Sequence, residues 1–175
     1  LARNYDHLYL VGYSGGGLLV KSALLKIEEN YLIQRIAGAV YIAVPETGSD
    51  IASVAKLFDI ATEITADIAT GSAFIADLIE KFDKSEVGNI PNLRFFGLRD
   101  NVINPPNQLK ADDSTFFIAS ADHNSILEFP QQSLQLDRLI TFLREPKSPY
   151  KLSHFGESRL LEFSPSILES LNKFN

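Results

Sequence analysis

The chain has 175 residues, 45% of them hydrophobic and 22% charged, with 16 basic and 22 acidic side chains for a formal net charge of −6. That composition suits a globular domain with a real core. The acidic balance, without a run of lysines or arginines, argues against nucleic acid or an anionic membrane surface as the main partner. No apolar stretch approaches the roughly 20 residues needed to span a bilayer. Cysteine is absent, which excludes disulfide frameworks and thiolate chemistry. His7, His123 and His154 lie far apart without zinc-ligand spacing, so a structural metal is not expected; nor does the sequence call for a cofactor.

Leu1 opens almost directly onto an apolar run without an initiator methionine, which points to a chain that starts mid-domain. His7 to Val11 has the length and branched or aromatic content of a buried strand, which Gly12-Tyr13-Ser14-Gly15-Gly16-Gly17 breaks abruptly. From Leu18 to about Asn30 the period is helical. Leu18, Leu19, Ala23, Leu24 and Ile27 form the apolar face, with Lys21, Lys26 and Glu28 left for solvent. A second buried strand runs from Ile36 to Val44, ended by Pro45, and Ser49 is placed to cap the next helix.

Ile51 to Phe82 is apolar and helical in period, with Phe74, Ile75, Leu78, Ile79 and Phe82 on one face and Gly71 dividing two helices. Strands are predicted again at Leu93–Leu98 and Thr115–Ala119, around a polar loop holding Asp100, Pro105 and Pro106. A last helix spans about Gln132 to Arg144. Residues 146–175 read as a linker and a short helix begun by Ser164-Pro165. Continuous apolar strands alternating with helices predict an α/β fold, a mostly parallel sheet with helices on both faces.

Gly12-Tyr13-Ser14-Gly15-Gly16 is a G-x-S-x-G motif between a predicted strand and a predicted helix. There the serine occupies a tight turn at the carboxyl end of the sheet, and the glycines on either side let strand and helix approach closely. The N–H of Gly15 points toward the same space at the helix start, where developing negative charge is favoured. The plainer reading is a glycine-rich connection or phosphate cradle, but the lysine of a P-loop and the spacing of a dinucleotide fingerprint are both missing.

A nucleophilic serine needs a base, and the base needs an orienting carboxylate. Imidazole suits the first task because its unperturbed pKa of about 6.5 lets it take and return a proton near neutrality. His123 follows the strand Thr115–Ala119 and so lies at the carboxyl edge; His7 lies at the opposite edge, and His154 in the tail. Two acids compete for the third place. Asp100 ends the strand Leu93–Leu98 and gives the chain order Ser, Asp, His, while Glu46 also follows a strand at the carboxyl edge. Asp122 adjoins His123 and should point away from it, and Asp112 and Asp113 precede a strand.

Together these segments resemble the α/β-hydrolase serine esterases and lipases. Leu8 to Leu18 is similar to the family's nucleophile elbow, and Pro45-Glu46-Thr47-Gly48-Ser49 to a loop of its lipase-like branch. Phe96 to Ile103 resembles the acid segment, and Ala121 to Ile126 the histidine loop. The resemblance covers about Tyr5 to Arg144. It implies a sheet of about eight strands, of which this chain holds the last four plus a helical cap over about 49–85. It also implies that the second oxyanion donor and the neighbour of the first strand lie outside the chain, leaving a strand edge exposed. Glu46 stands where the family usually has a histidine.

The implied activity is cleavage of a carboxylic ester, with Ser14 as nucleophile, His123 as base, Asp100 as orienting acid and Gly15 as oxyanion donor. An apolar or acyl-ester small molecule is the implied substrate, because Ile51 to Phe82 is rich in Ile, Leu and Phe, although the same residues serve equally as packing core. The competing class is a non-catalytic binding or scaffold module of a larger protein. The cytoplasm is the default compartment, and the oligomeric state is left open.

Overall fold

The computed structural model describes residues 5–27, 31–46, 72–103, 114–129 and 133–145. Its elements in chain order are β1 (Leu8–Tyr13), α1 (Gly15–Ile27), a 3-10 turn (Tyr31–Arg35), β2 (Ile36–Ile42), α2 (Ser72–Lys84), a second 3-10 turn (Glu86–Asn89), β3 (Asn92–Gly97), β4 (Thr115–Ile118), a third 3-10 turn (Ser125–Leu127) and α3 (Leu134–Arg144). The strands form one sheet in the order β1-β2-β3-β4, every neighbouring pair parallel. This is an α/β fold.

β2 explains the continuous apolar run. All seven of its residues are buried, because it lies inside the sheet and both its faces are covered. On one face, Ala39 and Tyr41 pack with Leu24 of α1 and Phe82 of α2. On the other, Val40 and Ile42 join Leu93 and Phe95 of β3 under Leu139 and Phe142 of α3. Helices therefore cover both faces. Ser133 caps α3, its hydroxyl accepting from the Leu136 N–H at 3.2 Å, so the helix starts just inside the predicted Gln132.

Several boundaries differ from the sequence reading. Gly12 does not break β1; the strand runs through it, pairing Gly12 with Tyr41 and Tyr13 with Ile42. Helix α1 begins at Gly15, three residues before the predicted Leu18. β2 stops at Ile42 because Ala43 turns into the left-handed region, with φ 47°. Its N–H still continues the ladder, donating to Phe95 O at 2.8 Å.

The inward face of α1 is also rotated from the predicted one. Gly17, Lys21 and Leu24 are buried, whereas Leu19 is 73% exposed and Ala23 is exposed too. Lys21, expected in solvent, is 1% exposed. Only the end of the predicted cap is described, and it behaves as core: α2 turns Ile75, Leu78 and Phe82 inward and packs against α1. The rest of the predicted cap, residues 104–113 of the proline loop and the 146–175 tail lie outside the described residues.

Candidate active site

Parallel strands end at the same edge of a sheet, so Ser14 after β1, Glu46 after β2, Asp100 after β3 and His123 after β4 all begin at one rim. Ser14 turns there with φ 52°, a conformation costing roughly 1–2 kcal/mol for a residue with a Cβ. Two main-chain bonds hold the turn: the Ser14 N–H donates to Ile42 O at 2.8 Å, and the Gly17 N–H donates to Ser14 O at 3.0 Å.

The turn also needs space, supplied by a glycine pair different from the expected one. A Cβ on Gly12 would stand 2.5 Å from Gly17 Cα, and one on Gly17 would stand 2.1 Å from a Val44 methyl. A Cβ on Gly16 would meet nothing within 4 Å. Close approach of strand and helix therefore rests on Gly12 and Gly17, not on Gly16.

Three of the sequence-predicted residues come together. Ser14 Oγ lies 3.1 Å from His123 Nε2, and His123 Nδ1 lies 2.8 Å from Asp100 Oδ2, all three residues being buried. With the Asp100 oxygen as acceptor, Nδ1 carries the imidazole proton and the Nε2 lone pair faces the serine hydroxyl. Asp100 is itself anchored, because its Oδ1 accepts the N–H groups of Val102 at 2.8 Å and Ile103 at 2.9 Å. Gly15 is the first residue of α1, its N–H among those a helix start leaves without an intrahelical partner.

Glu46 is elsewhere. Its carboxylate turns onto the α1 side of the sheet, with Oε1 3.1 Å from Lys21 Nζ and Oε2 3.7 Å from Arg94 Nη1. The Lys21 ammonium also lies over the rings of Phe82 at 4.2 Å and Tyr41 at 4.6 Å. Burial lowers the Lys21 pKa below the ordinary lysine value, an effect Glu46 opposes. This ion cluster was missed in the sequence. Its signal is the position of Lys21 one turn beyond Gly17 and one turn before Leu24, on the buried stripe.

Two more residues support the histidine. Tyr13 donates its hydroxyl to His123 O at 2.7 Å. Asp122 uses its carboxylate within its own loop, where its Oδ1 accepts from Asn124 N–H at 3.0 Å, Ser125 N–H at 2.9 Å and the Ser125 hydroxyl at 2.9 Å. The Ser125 N–H is the main reason the Asp122 pKa lies below the ordinary carboxylate value, aided by its hydroxyl.

Among the described residues, no group of three or more His, Asp or Glu side chains is arranged to hold a metal ion. None of the described helices is long and apolar enough to cross a membrane. Comparison of the chain with models of known protein families and with curated proteins finds no match.

Proposed function

We propose that the chain is a serine hydrolase that cleaves a carboxylic ester in two steps, as an esterase or lipase of the α/β-hydrolase type does. The observation that carries this reading is the continuous hydrogen-bonded line Ser14–His123–Asp100, with 3.1 Å and 2.8 Å spacings, on a serine held at φ 52°. A structural serine has no need of a strained turn or of an imidazole aligned by a carboxylate. Both features serve a nucleophile and its base.

In the first step His123 Nε2 takes the Ser14 proton as Oγ bonds to the ester carbonyl carbon. The carbonyl oxygen becomes an oxyanion, which the Gly15 N–H at the start of α1 stabilises. Collapse breaks the bond to the alkoxy oxygen, and His123 delivers its proton to the leaving alcohol. In the second step water attacks the acyl-enzyme, His123 accepts the water proton, and that proton returns to Ser14 Oγ as the acid leaves. Asp100 keeps the imidazole in the required tautomer and offsets its positive charge while protonated. The substrate is an apolar or acyl-ester small molecule.

Fluorophosphonate labelling read by mass spectrometry tests this directly. The expected result is modification of Ser14 that disappears in Ser14→Ala and in His123→Ala. A folded protein left unmodified overturns the hydrolase reading and leaves a binding module in its place.

A further inference from the structure

The residue before the nucleophile makes its own contact with the base. β1 ends at Tyr13, and its hydroxyl crosses to the histidine loop to donate to the His123 carbonyl at 2.7 Å, across 110 positions of sequence. Its ring lies 5.1 Å from the imidazole, centroid to centroid, with 36° between the planes. Tyr13 and Ser14 are consecutive, so a ring of contacts closes: Ser14 Oγ to His123 Nε2, along His123 to its carbonyl, to the Tyr13 hydroxyl and back through one peptide unit to Ser14.

We infer that Tyr13 is a positioning residue for the reaction proposed above, locking the histidine loop to the nucleophile turn so that base and nucleophile keep their spacing. The inference rests on the hydrolase reading for its role in the reaction, though not for the contact itself.

The histidine loop needs such a tie. Among the described residues, the Asp122 side chain organises Asn124 and Ser125 within the loop, and Arg99 N–H donates to Ala121 O at 3.0 Å. None of these bonds reaches β1, the strand that leads into Ser14. The Tyr13 hydroxyl does. Burial, with Asp100 and Asp122 adding, raises its pKa above the ordinary tyrosine value, so the phenol keeps the proton it donates. The ring supplies a second contribution, since an aromatic face within about 6 Å favours a cationic neighbour, here the imidazolium formed in each step.

Tyr13→Phe removes the donor and keeps the ring; Tyr13→Leu removes both. Ser85→Ala is the control, because it too deletes a hydroxyl donor to a main-chain carbonyl, Phe82 O at 2.7 Å, away from the site. Two readouts are taken on folded protein: the second-order rate of fluorophosphonate labelling, and solvent exchange of the His123 Nδ1 proton by NMR in 15N-histidine-labelled samples. Tyr13→Phe is expected to slow labelling about fivefold to tenfold, the worth of one lost hydrogen bond, and to speed proton exchange by a similar factor. Tyr13→Leu should be slower still, and Ser85→Ala should match the unsubstituted protein in both. Equal labelling and equal exchange in Tyr13→Phe overturn the inference. If the unsubstituted protein is not labelled yet the Nδ1 proton still responds to Tyr13→Phe, the hydrolase reading falls and the locking contact stands.

Discussion

Asp100 divides its two carboxylate oxygens between two tasks: Oδ2 meets His123 Nδ1 at 2.8 Å, while Oδ1 accepts the N–H groups of Val102 and Ile103. Position and chemistry are therefore separable at this residue. In Asp100→Asn the amide oxygen can keep both main-chain bonds, which leaves the amide NH₂ facing Nδ1 and forces the proton onto Nε2. The lone pair needed to take the serine proton is then on the wrong nitrogen. Fluorophosphonate labelling of Ser14 should fall by about 10³–10⁴, with the thermal midpoint nearly unchanged. Asp100→Ala should in addition lower stability, because the Ile103 N–H is left buried without a partner, at a cost of roughly 1–3 kcal/mol.

Glu46 should behave in the opposite way. Glu46→Ala leaves the Lys21 ammonium buried without its carboxylate, and breaking such a pair costs about 3–5 kcal/mol. Urea unfolding is the measurement. The fraction that remains folded should still be labelled at Ser14 at the unsubstituted rate, since Glu46 does not touch His123. A labelling loss as deep as that of Asp100→Asn would make Glu46 the orienting acid instead.

Lys21 also sets a dependence on alkaline pH. Its folded pKa lies below the ordinary 10.5, so between the two values the unfolded chain binds more protons than the folded one. Stability contributed by this group therefore rises with pH across that window. The buried Tyr41 phenol, raised by its burial, contributes the opposite slope at the top of the range. Comparing unfolding curves of the protein and of Lys21→Met isolates the lysine: the difference between them should grow with pH in favour of the lysine form.

At acid pH the histidine loop should loosen through Asp122. Its folded pKa is depressed by hydrogen bonds from Ser125, so the bonded carboxylate contributes fully above the ordinary carboxylate value, and the contribution is lost as pH falls through the depressed one. Hydrogen-exchange protection of the Asn124 and Ser125 amides, corrected for intrinsic rates, should drop across that interval. Asp122→Ala should show the low protection at every pH.

The turn at Ser14 makes a prediction about stability alone. Ser14→Ala and Ser14→Gly both lack the hydroxyl, and in ordinary strand or helix the alanine form is the more stable. At φ 52° the order should invert, with glycine ahead by about 1 kcal/mol in thermal unfolding, because it has no Cβ to strain.

How much was legible in the sequence differs by residue. β2 was plain because every residue of Ile36–Ile42 is buried and hence apolar, and Ser14 was plain because its glycine-flanked turn leaves a local pattern. The order of Ser14, Asp100 and His123 along the chain followed from parallel strands ending at one rim. Chain order favours Asp100 over Glu46, although both follow strands at that rim; what separates them physically is the face to which each side chain turns, Asp100 to His123 and Glu46 to Lys21. Lys21 reads as solvated because a cation on a helix ordinarily is, whereas Glu46, Tyr41 and Phe82, distant in sequence, surround it and help to make its burial tolerable. The glycine assignment failed for a similar reason: what makes Gly17 necessary is a methyl of Val44, just past the end of β2.

Lys21 can be turned into a clock. Amine-acylating reagents modify lysines in proportion to how often water reaches them, and Lys81 and Lys84 have side chains 66% and 74% exposed against 1% for Lys21. In a time course, Lys81 and Lys84 react at once, whereas Lys21 acquires the tag only during excursions that lift α1 from the sheet. Its rate thus counts openings of the helix that begins beside Ser14.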